Sequence, residues 1–162
     1  MRGARLARRL LAALGARGWH ISFAESCTGG LAAATLVSVS GSSAVLDGAF
    51  VTYANSAKET LVGVSAQALA AHGAVSQEVA GQMALGCAKA MGAEVGVGIS
   101  GIAGPTGGTP EKPVGTVCFG FYVNGICHTV THRFRGGRQA VRRKSVRYAY
   151  ETLLCLIEAA DQ

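Results

Sequence analysis

The chain has 162 residues, of which 49% are hydrophobic, 15% charged and 23 glycine, with a formal net charge of +6. That length suits one domain with a real core, and the composition favours a compact α/β domain over a disordered or solenoid protein. No apolar run reaches the ~18 residues of a membrane span, and the scattered cysteines (27, 87, 118, 127, 155), with no C-x-x-C pair, read as reduced thiols in a cytoplasm.

Taken in order, Leu6, Leu10 and Leu14 recur at helical spacing. They predict an amphipathic helix over 3–16 rather than a targeting segment, despite the surrounding arginines. A strand-like run, 19–24, feeds Glu25-Ser26-Cys27-Thr28-Gly29-Gly30, and the alanine- and leucine-rich run 31–39 reads as a helix. A serine–glycine turn at 40–43 ends it. The β-branched and aromatic run 48–55 predicts a strand, followed by a turn or short helix at 56–59. Two more helices are expected, one over 65–72 closed by Gly73 and one from a Ser76 cap to Met91. Run 95–99 is apolar throughout, as in a central strand buried on both faces, and leads to a second glycine-rich turn at 100–108. Strands 117–123 and 126–134 flank Asn124-Gly125, a strong hairpin signal, and a last helix covers 139–159. The order predicts a single α/β domain over 1–162, a three-layer sandwich. Its mixed sheet is parallel in the centre, is flanked by helices, and carries the hairpin towards one edge.

Both glycine turns then emerge at the carboxyl edge of the sheet, where open α/β sheets bind ligands. The glycines permit close backbone approach, and the N–H groups of the helix after Gly30 are expected to attract an anion. Neither turn is G-x-G-x-x-G or a Walker loop, so no dinucleotide or ATP site is indicated. His128 and His132 share a strand face but stand ~13 Å apart, and the acids are scattered, so no metal and no cofactor is expected.

Nucleophilic chemistry fits better. Hydroxyls crowd the turns at Ser26, Thr28, Ser42, Ser43 and Ser100. Lys58 follows a buried-looking strand in a segment nearly free of other cations, where desolvation would let it accept a proton from serine. Tyr53, at the strand end, is placed to relay that proton or hold the lysine. Ser26 and Ser43 are both candidate nucleophiles; Ser26 has the better setting, at a strand-to-helix turn with oxyanion donors close by. Cys27 is a rival, and reads more simply as a small buried filler.

Of the fifteen basic residues, five lie at or before Arg17 and seven between Arg133 and Arg147. That distribution permits nucleic-acid binding, but no helix-turn-helix, zinc-finger or aromatic RNA-binding signature accompanies it. Solvated helix faces with one or two anion ligands are the simpler reading.

The motifs form a recognisable set. The first is Ala24-Glu25-Ser26-Cys27-Thr28-Gly29-Gly30, followed by Gly41-Ser42-Ser43, the run Phe50 to Lys58, Leu61-Val62-Gly63-Val64 and His72-Gly73-Ala74-Val75-Ser76. The later ones are Ser100-Gly101-Ile102-Ala103-Gly104-Pro105, the run Lys112 to Val117, and Gly136-Gly137-Arg138. In order and nearly end to end, they resemble the CinA C-terminal domain family. The resemblance implies a stand-alone nicotinamide-nucleotide amidohydrolase. Such an enzyme converts nicotinamide mononucleotide (NMN) to nicotinic acid mononucleotide and ammonia in pyridine nucleotide salvage.

The implied chemistry is serine attack with Lys58 as base. Thr28, Gly29, Gly30, Asn55, Ser100, Gly101 and Gly104 would line the substrate, and Arg138 or Arg142 would hold its phosphate. The expected partner is this small molecule, in a homo-oligomer, with neither membrane nor nucleic acid. Two alternatives remain open: a mononucleotide-binding regulatory module without catalysis, and a competence- or damage-associated nucleic-acid-binding protein. One departure from the family pattern is Gly137, where an aspartate usually stands.

Overall fold

The structure, a computed structural model, describes residues 2–162. These form, in order, α1 (Arg2–Arg17), β1 (Ile21–Glu25), α2 (Leu31–Val37), β2 (Phe50–Val51), α3 (Asn55–Val62), α4 (Ala66–His72) and α5 (Gln77–Met91). Then come β3 (Val95–Gly101), β4 (Thr116–Val123), β5 (Ile126–Arg133) and α6 (Arg138–Ala159). The strands make one sheet in the order β2-β1-β3-β4-β5. β1 runs parallel to β2 and β3, while β3, β4 and β5 alternate in direction. The carboxyl ends of β1, β2 and β3 therefore share one edge with the start of β4.

Successive strand residues face opposite sides, so Phe23 enters one core and its neighbour Ala24 the other. The larger core lies under α1, α2 and α6, with Leu10, Leu14, Leu36 and Leu153 buried against Phe23 and Phe119. The smaller one, holding Val62, Val79, Met83 and Cys87, lies under α3 and α5. The alternation Val95-Gly96-Val97-Gly98 makes one face of β3 bulky and the other bare. A Cβ on Gly96 would come within 2.0 Å of the Ala84 carbonyl, and one on Gly98 within 2.3 Å of that of Ala80. Helix α5 thus rests directly on the sheet backbone, a contact that only glycine facing alanine permits.

The expected α/β class, the mixed sheet and the hairpin are all present. Asn124 and Gly125 both take positive φ, 45° and 98°, as a two-residue hairpin turn demands. Two elements are shorter than expected. The strand expected over 48–55 is confined to Phe50–Val51; the Thr52 amide still donates to the Glu25 carbonyl (2.8 Å), and the chain then turns into α3 at Asn55. Helix α2 stops at Val37 because the Ser38 hydroxyl bonds the Thr35 carbonyl (2.6 Å) and the Val39 amide turns to Leu36, tightening the end.

Candidate active site

At the carboxyl edge of β1 the chain enters the turn 26–30, and the Ser26 amide donates to the Ile99 carbonyl of β3 (2.9 Å). That bond fixes Ser26 between the two central strands. Helix α3 brings Lys58 back towards it. Lys58 is only 1% exposed, and its Nζ donates to the Thr52 carbonyl (2.9 Å), the Tyr53 carbonyl (3.3 Å) and Ser26 Oγ (3.3 Å). Burial lowers the lysine pKa, opposed in part by the nearby Cys27 thiol. A buried lysine with two carbonyls and one serine hydroxyl as its partners is arranged to take the serine proton.

The anion site expected at the start of α2 is occupied by the protein itself. Glu25 is fully buried, and its carboxylate accepts from the Ala32 amide (2.8 Å) and the Ala33 amide (3.1 Å). It satisfies the first free N–H groups of α2 and compensates its dipole. Glu25 lies seven residues before Ala32, outside the spacing of a capping box, so sequence reasoning misses this role. It also misses the carbonyl of Thr52 as a lysine holder. The hydroxyls of Thr28 and Thr52, both buried, have no hydrogen-bond partner among the described residues.

The start of α6 supplies two arginines with different duties. Arg142 donates to the carbonyls of Cys27 (3.1 Å) and Thr28 (2.9 Å) and to Gln139 (2.7 Å), which ties the turn 26–30 to the helix. Arg138 spans the cluster from the other side. It donates to the Gly104 carbonyl (2.9 Å) in the second glycine turn and to the Tyr53 hydroxyl (3.2 Å). Tyr53 is 62% exposed; its main-chain carbonyl accepts from Lys58 while its hydroxyl accepts from Arg138. Gly137 is the N-cap of α6 and offers no side-chain cap. The turn before it is instead secured by Lys144 Nζ on the Arg135 carbonyl (2.5 Å).

Ser26, Tyr53, Lys58, Gly104, Arg138 and Arg142 are thus brought together, with exposed Gly29 and half-buried Gly30 beside them. Asn55 is exposed in the first turn of α3. Of the other expected site residues Ser43 falls elsewhere, whereas Ser100 and Gly101 end β3 at this same edge. Ser43 lies in the exposed 3-10 turn Ser42–Ala44, and Val45 just after it accepts from the Ile21 amide (2.8 Å). Ser43 therefore sits at the amino end of β1, a strand of roughly 17 Å away from Ser26. Ser100 is buried and its hydroxyl donates to the Ala74 carbonyl (2.7 Å), while Gly101 is pressed against Val117. The Thr28 side chain is also fully buried. Cys27 turns into the large core, where burial pushes its thiol up to about 11, which leaves it a poor nucleophile.

No cluster of three or more His, Cys, Asp or Glu side chains fit for a metal occurs among the described residues. No helix among them is long and apolar enough to cross a membrane.

Comparison with known proteins identifies the family and the fold. The model of the CinA C-terminal domain matches residues 3–157. A nicotinamide-nucleotide amidohydrolase PncC from Enterobacter agglomerans is 51% identical over 144 residues, covering 88% of each chain. A CinA-like protein from Anaeromyxobacter dehalogenans is 54% identical over 144 residues, covering 89% of this chain and 35% of that longer one. The crystal structure of a competence-damaged protein (CinA) superfamily member from Klebsiella pneumoniae superposes with a TM-score of 0.94. It is 38% identical, with 98% of this chain and 99% of that one covered. The chain belongs to the CinA C-terminal domain family.

Proposed function

We propose that the chain hydrolyses the carboxamide of NMN to nicotinic acid mononucleotide and ammonia, a step of pyridine nucleotide salvage. The observation that carries this reading is the 51% identity to a nicotinamide-nucleotide amidohydrolase across 88% of both chains. The Ser26–Lys58 pair supplies a matching chemistry. Neutral Lys58 takes the Ser26 proton as Oγ attacks the amide carbon, and the tetrahedral intermediate collapses when Lys58 returns that proton to the departing ammonia. Water then attacks the resulting ester as Lys58 takes one of its protons, and collapse returns that proton to the leaving Ser26 Oγ, which frees the carboxylic acid product and restores neutral Lys58.

The amides of Cys27, Thr28 and Gly30, which have no backbone acceptor among the described residues, are the free backbone donors nearest Ser26 in the chain for the oxyanion. Arg138 holds the phosphate, because fewer of its N–H groups are committed to the fold than those of Arg142. The enzyme works in the cytoplasm as a homo-oligomer; five unpaired cysteines suit a reducing compartment.

Incubated with NMN, the purified protein is expected to release ammonia and nicotinic acid mononucleotide in equal amounts. If NMN raises the melting temperature without ammonia release, the chain is a mononucleotide-binding module instead.

A further inference from the structure

A second recess lies on the side of the sheet covered by α1, α2 and α6, and it shares no residue with the Ser26–Lys58–Arg138 cluster. It is a cleft of 390 Å³, within the range of roughly 300–1,000 Å³ typical of small-molecule sites. Its walls are apolar: Leu6 of α1, Leu31 of α2, and Val146 and Tyr150 of α6. The polar groups among these walls are already bonded within the protein. The Tyr150 hydroxyl donates to the Ala32 carbonyl (2.7 Å), and burial beside the Glu25 carboxylate keeps that phenol protonated. The Thr35 hydroxyl donates to the Leu31 carbonyl (2.7 Å). Each therefore offers the cleft its hydrocarbon surface.

The rim is cationic. Arg2, Arg143 and Arg147 border the cleft, and no carboxylate lines it. Arg147 pairs with Glu151 (2.8 Å), one turn further along α6. Arg2 and Arg143 have no acidic partner among the described residues. Two guanidinium groups without counter-ions over an apolar recess favour a ligand with an apolar body and one anionic head. Guanidinium groups bind carboxylates through paired hydrogen bonds, and the body gains by leaving water.

We propose that this cleft binds a small amphipathic carboxylate, free in solution, with its chain or ring against Leu6, Leu31, Val146 and Tyr150 and its head on Arg2 and Arg143. The proposal does not rest on the amidohydrolase reading, and each can fail without the other.

The test is isothermal titration of the intact protein with decanoate below its micelle-forming concentration. Saturable binding at one site is expected. Losing one charge-assisted contact should weaken it by about tenfold or more, as in Arg143→Glu, and decanol, which gives up the contacts to both arginines, should bind at least that much more weakly than decanoate. Arg8→Glu makes the same charge change on the same helix layer outside the cleft and is expected to leave the affinity nearly unchanged. Arg143 is exposed, so its replacement leaves the core intact, and the melting temperature checks this. Four results overturn the proposal: no saturable heat with decanoate, equal binding of decanol, undiminished binding by Arg143→Glu, or an equal loss in Arg8→Glu. Association with phosphatidylglycerol vesicles without binding of monomeric decanoate overturns it too, and marks the face as a membrane-contacting one.

Discussion

Lys58 shows how the site sets its own chemistry. Its buried Nζ has a pKa below the ordinary lysine value. Between that lowered value and ~10.4, the unfolded chain binds one proton more than the folded chain, so stability rises with pH through this window. Below the folded pKa both states carry the charge, and the fold bears the full penalty of burying it. Lys58→Met removes the titration. The melting temperature of this variant, relative to the parent, should therefore be highest at low pH and fall as pH climbs towards ~10.4. Calorimetry across that range checks it, and a constant difference contradicts the shift. In the proposed mechanism the same proton would control turnover, because only neutral Lys58 can accept the proton of Ser26.

Arg138 supports a second prediction at this scale. NMN differs from nicotinamide riboside by a phosphate remote from the reacting amide, and binding energy there can orient the amide carbon. The riboside is expected to be a far poorer substrate, and Arg138→Ala to narrow the gap by lowering kcat/KM for NMN specifically. An unchanged ratio would move the phosphate contact to Arg142 or to the glycine turns.

At the scale of elements, the turn 26–30 is held from three directions: by Glu25 on the start of α2, by Arg142 from α6, and by Ser26 on β3. Glu25→Gln replaces one acceptor oxygen with an amide donor facing a helix N–H. A loss of about 1–3 kcal/mol is expected, with turnover reduced as Ser26 is displaced. Denaturant unfolding and NMN kinetics on the same preparation test both halves; an unaltered unfolding midpoint contradicts the capping role. The elements themselves were largely legible. Leucine spacing marked α1, and Asn124-Gly125 marked the hairpin, because those signals are local. The short β2 was not legible, since nothing in the run 48–55 records that the carbonyls of Thr52 and Tyr53 turn back to hold Lys58. The alternation of valine and glycine in β3 was read as apolar throughout, while its physical content is the direct seat it gives α5.

Over the whole molecule, the late run of basic residues is mostly engaged within the protein. Arg138, Arg142 and Lys144 donate to backbone carbonyls, and Arg147 pairs with Glu151. That use weakens the case for a nucleic-acid surface, which needs free cations along one face. The site was legible as a set of motifs but not as a geometry. Residue type does not rank the two serines that precede Lys58; the strand-to-helix setting favours Ser26, and the parallel pairing of β1 with β2 and β3 puts Ser26 and Lys58 at one sheet edge with Ser43 at the other.

The central claim is that this Ser26–Lys58 pair performs the hydrolysis. The most direct test is steady-state ammonia release from NMN by Ser26→Ala, Lys58→Met and Ser43→Ala, each checked for folding. Loss of a general base typically lowers turnover ~10²–10⁴-fold. The account expects a loss of that order in Lys58→Met, no measurable turnover in Ser26→Ala and near-parental turnover in Ser43→Ala. Near-parental turnover in Lys58→Met or Ser26→Ala, or abolished turnover in a folded Ser43→Ala, would contradict it.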